Sequence, residues 1–109
     1  MEQKLLIAIC ALLILLLAGL FLKFFPPSKI NSLYGYRTKR SMKNMNNWKI
    51  ANAYSSTLMI YLSTAGLILT GILFLLKTEP LTLLYIVFAM GLFIAIAVIV
   101  LTEKKLKQH

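Results

Sequence analysis

Three long apolar runs dominate the chain, and short polar segments separate them. They cover residues 5–25, 51–76 and 81–101. At a helical rise of about 1.5 Å per residue, each run is at least about 31 Å long, which is enough to cross the hydrocarbon core of a bilayer. We therefore predict an all-α integral membrane protein with three transmembrane helices in one domain, residues 1–109.

Local signals support these boundaries. Pro26 and Pro27 end the first helix, because proline cannot continue the backbone hydrogen-bond ladder. Thr78 is a candidate N-cap of the third helix, and Pro80 suits its first turn, where a missing N–H costs little. One face of the second helix carries small residues at helical spacing, which predicts close packing against another helix: Ser63, Gly66 and Thr70.

The charge distribution predicts the orientation in the membrane. The chain is 60% hydrophobic with a formal net charge of +9. Lys4 and Lys77 lie on one side of the predicted membrane, and the other ten basic residues lie on the opposite side. The positive-inside rule places the basic side in the cytoplasm and the N-terminus outside. Because the charges flank apolar runs rather than cover a soluble face, direct nucleic-acid binding is disfavoured.

A polar, basic segment, residues 26–50, forms a predicted cytoplasmic hairpin between the first two helices. Ser41 is a candidate helix cap, so the second helix is expected to begin there and to run about 54 Å to Leu76. Asn47 is expected to point toward water. A semipolar helix face is expected to run from this segment into the membrane, where its amides need partners: Ser41, Asn44, Met45, Trp48, Asn52, Ser55 and Met59.

Few residues in the chain support catalysis or metal binding. Cys10 lies within the first apolar run, and the only histidine is His109. The three glutamates, at positions 2, 79 and 103, lie at the ends of the apolar runs, and we expect none of them near residues 26–50. No nucleophile–base pair or metal-ligand set is recognisable. We therefore predict that the protein is not an enzyme and has no cofactor or metal.

The polar segment also carries a long motif of defined spacing. It reads Asn31-x-x-x-Gly35-x-Arg37-Thr38, then Ser41-x-x-Asn44-x-x-x-Trp48-x-x-x-Asn52. This pattern, with two prolines before it and apolar helices on both sides, resembles the signature of the SdpI family of bacterial membrane proteins. The resemblance is good over residues 25–71 and looser over the rest of the three-helix plan.

The resemblance implies a function. The namesake gives immunity against a secreted peptide that kills by attacking the membrane, and with toxin bound it holds a repressor protein at the membrane. The namesake has additional membrane-spanning sequence before the shared domain, so we expect this chain to be a short form. The motif residues become candidates for contacting toxin, repressor or each other: Asn31, Gly35, Arg37, Thr38, Ser41, Asn44, Trp48 and Asn52.

Other functions also fit the sequence. The basic residues can bind anionic lipid headgroups, at about 1 kcal/mol each, so a small assembly or lipid-organising protein is one alternative. A transporter or channel component is another. Three helices are few for a transport pathway, so that alternative requires a homo-oligomer. The leading prediction is a non-enzymatic immunity protein or receptor in the bacterial cytoplasmic membrane.

Overall fold

The computed structural model describes residues 3–108, so the predictions for Glu2 and His109 lie outside the described residues. It contains three α-helices: α1 Gln3–Phe24, α2 Met45–Leu75 and α3 Pro80–Lys107. All three are long and apolar enough to cross a membrane, and residues 3–108 contain no strand. The predicted all-α fold with three spanning helices is confirmed.

The helix ends follow from local chemistry. α1 ends at Phe24. The next residue, Phe25, precedes the two prolines and is therefore biased away from helical geometry. Pro80 is in the first turn of α3, as predicted. The N-cap of α3 is Glu79 rather than Thr78, because the Glu79 carboxylate accepts hydrogen bonds from the backbone N–H groups of Leu81 and Thr82. A carboxylate can satisfy both of these unpaired donors at once.

The predicted start of α2 at Ser41 is wrong. The chain makes a single turn there, with the N–H of Met42 donating to the carbonyl of Thr38. It then becomes extended at Asn44, where φ is −157° and ψ is 171°. The Asn44 side chain accepts a hydrogen bond from the N–H of Asn47 at 2.8 Å, so Asn44 is the N-cap and the continuous helix begins at Met45.

Each helix runs antiparallel to the one before it, and the helices pack through small residues. A Cβ atom on Gly19 of α1 would lie 2.9 Å from Cβ of Met59 and 3.0 Å from the carbonyl oxygen of Ser56. Farther along α2, Gly66 faces Leu12 of α1 and Ile94 of α3. The predicted stripe of small residues is therefore confirmed as a packing face, and all three of its members are buried: Ser63, Gly66 and Thr70.

The outer surface of the bundle is apolar along most of its length. Large hydrophobic side chains are more than half exposed on all three helices, including Ile14, Ile68 and Leu92. Such a surface is what a lipid environment requires. The link between α1 and α2 and the C-terminal end of α3 lie at the same end of the bundle, where ten lysine and arginine residues are found. The assignment of this end to the cytoplasm stays a prediction.

Candidate functional site

Residues 25–44, which we call the connection, fold back onto the end of α1. The Asn31 side-chain oxygen accepts hydrogen bonds from the N–H groups of Leu33 and Tyr34, at 2.9 and 2.7 Å. This Asx turn directs Tyr34 toward α1. The Tyr34 hydroxyl lies 2.6 Å from the carbonyl oxygen of Phe25 and 3.1 Å from that of Phe21. A side chain of the connection therefore donates to backbone carbonyls at the end of α1, including that of Phe21, which also accepts the N–H of Phe25.

Gly35 lies at the tightest point between the connection and α2. Its φ of 109° is a conformation that residues with a side chain rarely adopt. A Cβ atom there would lie 2.6 Å from Oδ1 of Asn52, 2.9 Å from Cγ of Pro27 and 3.3 Å from Cη2 of Trp48. Only glycine satisfies both the backbone angle and the available space.

Asn52 and Trp48 fasten the connection to α2. The backbone N–H of Tyr36 donates to Oδ1 of Asn52 at 2.7 Å, while Nδ2 of Asn52 donates to the carbonyl of Trp48 at 2.8 Å. The indole N–H of Trp48 donates to the carbonyl of Pro27 at 3.0 Å. Trp48 is 0% exposed and Asn52 is 3% exposed, so these bonds are formed away from solvent. Breaking one would leave a buried polar group without a partner.

Thr38 and Ser41 form a second, reciprocal pair within the connection. The N–H of Thr38 donates to Oγ of Ser41 at 2.8 Å, and the N–H of Ser41 donates to Oγ1 of Thr38 at 3.1 Å. The Ser41 hydroxyl in turn has the carbonyls of Tyr36 and Thr38 within reach, at 3.1 and 3.0 Å. Each side chain thus satisfies the backbone of the other, as in a helix capping box, and fixes a single turn.

Glu103 of α3 also contacts the connection, contrary to expectation. Its Oε2 atom accepts hydrogen bonds from the Tyr36 hydroxyl and the Thr38 hydroxyl, both at 3.0 Å. Burial, and then the hydrogen bond to Glu103 and its charge, raise the pKa of the Tyr36 phenol above its ordinary value of 10.0. The bundle end that holds ten basic residues holds this single described glutamate, and no local pattern in the sequence pairs it with the connection.

Asn47 is a second residue that sequence reasoning placed incorrectly. It is 6% exposed, and its Nδ2 atom donates to the carbonyl of Arg40 at 2.9 Å. The prediction that it points toward water assumes a helix beginning at Ser41. Because α2 begins at Met45 instead, Asn47 is in the first turn and faces the chain that precedes it.

The structure brings most of the motif residues together but gives them different roles. Gly35, Trp48 and Asn52 meet at the junction with α2, and Thr38 and Ser41 form the reciprocal pair. Asn31 and Asn44 act locally, as an Asx turn and a helix cap. Arg37 is exposed, and its guanidinium donates to the carbonyl of Ser32. Whether these residues also contact a toxin or a repressor stays a prediction.

An apolar groove of about 620 Å³ opens between α1 and α3, directly below the connection. Met59 of α2 lines the groove, and Leu33, Tyr34 and Tyr36 contribute to its wall from the connection. Apart from Gly35 of the connection, the remaining lining comes from the two flanking helices and is almost entirely aliphatic: Leu15, Ala18, Phe21, Leu22, Ala95, Val98 and Ile99. This surface can accept an apolar ligand or an apolar helix.

Metal-binding side chains do not converge in the part of the chain that the structure describes. Within residues 3–108, no three His, Cys, Asp or Glu side chains come close enough to hold an ion. Cys10 is a free thiol, exposed on the outer surface of α1. The chemistry available at the connection is therefore hydrogen bonding, positive charge and apolar contact.

Comparison with known proteins identifies the family. A profile described as the SdpI/YfhL protein family matches residues 28–102, which contain all eight motif residues. The chain belongs to the SdpI/YfhL family. A relative named as the uncharacterized protein YfhL of Bacillus subtilis (strain 168) is 45% identical over 96 residues, covering 86% of this chain and 80% of YfhL. No solved structure matches the chain significantly.

Membership of the SdpI/YfhL family agrees with the architecture and fixes the protein's broad class. The matched range begins in the connection and includes all of α2 and most of α3. Together with the three apolar helices, it makes this chain a multi-pass membrane protein. Membership of this family, which is generally non-enzymatic, suggests a membrane protein related to immunity.

Proposed function

We propose that the protein is an immunity protein of the bacterial cytoplasmic membrane, which protects the cell against a secreted, membrane-attacking peptide. The observation that carries the proposal is the family match, which spans the whole motif and the helices it joins. The basic end faces the cytoplasm in this proposal, because ten of the twelve lysine and arginine residues are found there.

The apolar groove below the connection is the proposed contact site for the toxin. A peptide that attacks membranes must present an apolar face, and the groove offers an apolar surface between α1 and α3, within the apolar runs of both helices. Leu33, at the connection end of the groove, is 89% exposed and therefore available for contact. Met59 lines the groove with a flexible side chain that adapts to irregular partners.

The motif residues support this function by holding the connection over the groove. Tyr36 is fixed at its backbone by Asn52 and at its hydroxyl by Glu103, and Tyr34 is fixed by the end of α1. Both tyrosines line the groove. Loss of Asn52 would therefore alter a toxin-contacting surface without removing any residue that touches the toxin.

A survival assay tests this proposal. Toxin-sensitive bacteria express wild type or Ala95→Trp, which fills the groove, and are challenged with the peptide that the SdpI namesake resists. Ala89→Trp is the matched control, because Ala89 is an exposed α3 residue outside the groove. We expect wild type and Ala89→Trp to protect and Ala95→Trp to fail at equal membrane abundance. Failure of wild type, or equal protection by both variants, would contradict it.

We also propose a signalling role. The basic surface at the connection end, which includes the exposed Arg37, would hold a cytoplasmic repressor protein when toxin is bound. The test is fractionation of cells that carry a tagged copy of the repressor that the SdpI namesake holds at the membrane. Toxin should move the repressor to the membrane with wild type and not with Arg37→Ala. A repressor that stays in the cytoplasm with wild type would refute this branch while leaving immunity intact.

A further inference from the structure

A second, basic groove lies between the connection and the last turns of α3. Its volume is about 780 Å³. Four cationic side chains line it, three from the connection and one from α3: Lys39, Arg40, Lys43 and Lys107. Asn47 and Leu106 contribute to its wall, and both are buried, at 6% and 2% exposure. The groove is therefore a charged rim above a well-packed base.

The charge in this groove is not balanced by the protein. Glu103 is the one acidic residue among those that line it, against four cations. Its Oε2 atom already accepts hydrogen bonds from Tyr36 and Thr38 of the connection. Lysine and arginine that converge without matching carboxylates create a positive potential, which attracts an anion. Arg40 adds a planar fork that suits the oxygens of a phosphate group.

The depth of the groove in the membrane points to the source of that anion. The apolar run of α3 ends at Leu101, and Glu103 and Lys107 follow two and six residues later. At helical rise they lie about 3 to 9 Å beyond the hydrocarbon, which is the depth of lipid headgroups. Ile99 and Val100, just before this level, are more than half exposed and offer apolar surface to an acyl chain.

We propose that this groove binds the phosphate headgroup of an anionic phospholipid. The phosphate lies between Arg40 and Lys43 of the connection and Lys107 of α3. It therefore bridges the same two elements that Glu103 joins by hydrogen bonds. Bound lipid thus stabilises the docked connection, because a ligand that binds only the folded state raises its stability. This inference is independent of toxin immunity.

The test is a lipid titration on purified protein in a neutral detergent, with thermal unfolding followed by fluorescence of Trp48, the only tryptophan. Phosphatidylglycerol should raise the unfolding temperature of wild type, whereas phosphatidylcholine should not. In the groove variant, with Arg40, Lys43 and Lys107 each changed to Gln, the concentration for half the shift should rise at least about tenfold. A charge-conserving variant, Lys43→Arg with Lys107→Arg, should respond as wild type does.

A matched control separates a site from general surface charge. Lys29, Lys49 and Lys104 are exposed, lie at the same end and do not line the groove, so their change to Gln removes the same charge. This control should keep the wild-type response. An equal loss in both triple variants would overturn the proposal in favour of diffuse attraction. An equal shift with inorganic phosphate alone would overturn it in favour of a free-anion site.

Discussion

The two links between helices differ in almost every physical respect. The link between α2 and α3 has four residues, Leu76 to Glu79, and its hydrogen bonds are local. The N–H of Lys77 donates to the carbonyl of Phe74, and the N–H of Thr78 to that of Leu73. The connection covers residues 25–44 and makes hydrogen bonds to all three helices. A link of only a few residues is enough to reverse the chain between two antiparallel helices, so the length of the connection is not needed for the turn itself.

This difference shows that the connection is a folded part of the molecule rather than a linker. Its conformation depends on partners far away in sequence, such as Asn52 and Glu103. The short turn depends on its own backbone and on Glu79. The side chain of Glu79 accepts a hydrogen bond from the N–H of Thr82, only three residues later. Changes at the connection should therefore disrupt contacts between elements, whereas changes in the short turn should have small effects.

The largest effect is expected from Gly35→Ala. The new Cβ would meet Asn52 and Pro27 closer than 3.0 Å, and the φ of 109° would be strained. We expect a loss of about 3 kcal/mol in the free energy of unfolding. Thermal unfolding in detergent measures it. Gly91→Ala is the control, because a Cβ on Gly91 meets nothing within 4 Å. Equal stability of the two variants would contradict the tight junction.

Asn52→Ala should have the next largest effect. It leaves the half-buried N–H of Tyr36 without its acceptor, which costs about 2 kcal/mol. Limited proteolysis should then cleave the connection faster while the short turn keeps its wild-type rate. Asn46→Ala is the matched control, because Asn46 is an exposed asparagine in the first turn of the same helix. Protease resistance like that of wild type would show that the connection does not need Asn52.

Glu103→Gln tests the link from the connection to α3. The amide oxygen can still accept hydrogen bonds from Tyr36 and Thr38, but the charge that strengthens them is lost. We expect destabilisation by about 1.5 kcal/mol. A double-mutant cycle with Tyr36→Phe measures the coupling. Additive effects of the two changes would show that the charge of Glu103 does not strengthen its hydrogen bond to Tyr36.

The same contact predicts an alkaline dependence of stability. The pKa of Tyr36 is raised in the folded state, so its contribution is complete below the unfolded value of 10.0 and is lost as the pH rises above it. Wild type should therefore lose more stability than Tyr36→Phe above about pH 10. Parallel pH profiles of wild type and Tyr36→Phe would contradict the assignment.

The smallest effect is expected in the short turn, and it should be favourable. Lys77 has a φ of 59°, a left-handed conformation at the end of α2 that glycine adopts without strain. Lys77→Gly should stabilise the protein by up to about 1 kcal/mol. Chemical denaturation in mixed micelles measures the change. Lys104→Gly is the control and should destabilise the protein, because glycine has a lower helix propensity than lysine. A loss of stability in Lys77→Gly would contradict the turn geometry.

The sequence predicted the features that depend on local pattern. Apolar length indicated the three helices, the prolines marked the end of α1 and the start of α3, and Gly66 marked a packing face. The position of Glu103 could not be predicted, because its partners lie 65 and 67 residues away. Asn47 was misplaced for a related reason. The break before α2 comes from the extended backbone of Asn44, which competes with a helix that the residue types alone allow.

Hydrogen–deuterium exchange in lipid nanodiscs tests the central claim most directly, because exchange reports which backbone N–H groups are protected. We expect slow exchange at Tyr36, Thr38 and Ser41, whose N–H groups donate to the side chains of Asn52, Ser41 and Thr38 respectively. In Asn52→Ala, protection at Tyr36 should fall while Thr78 of the short turn is unchanged. Exchange at these three amides as fast as in an unfolded peptide would show that the connection is a flexible linker and would contradict the account.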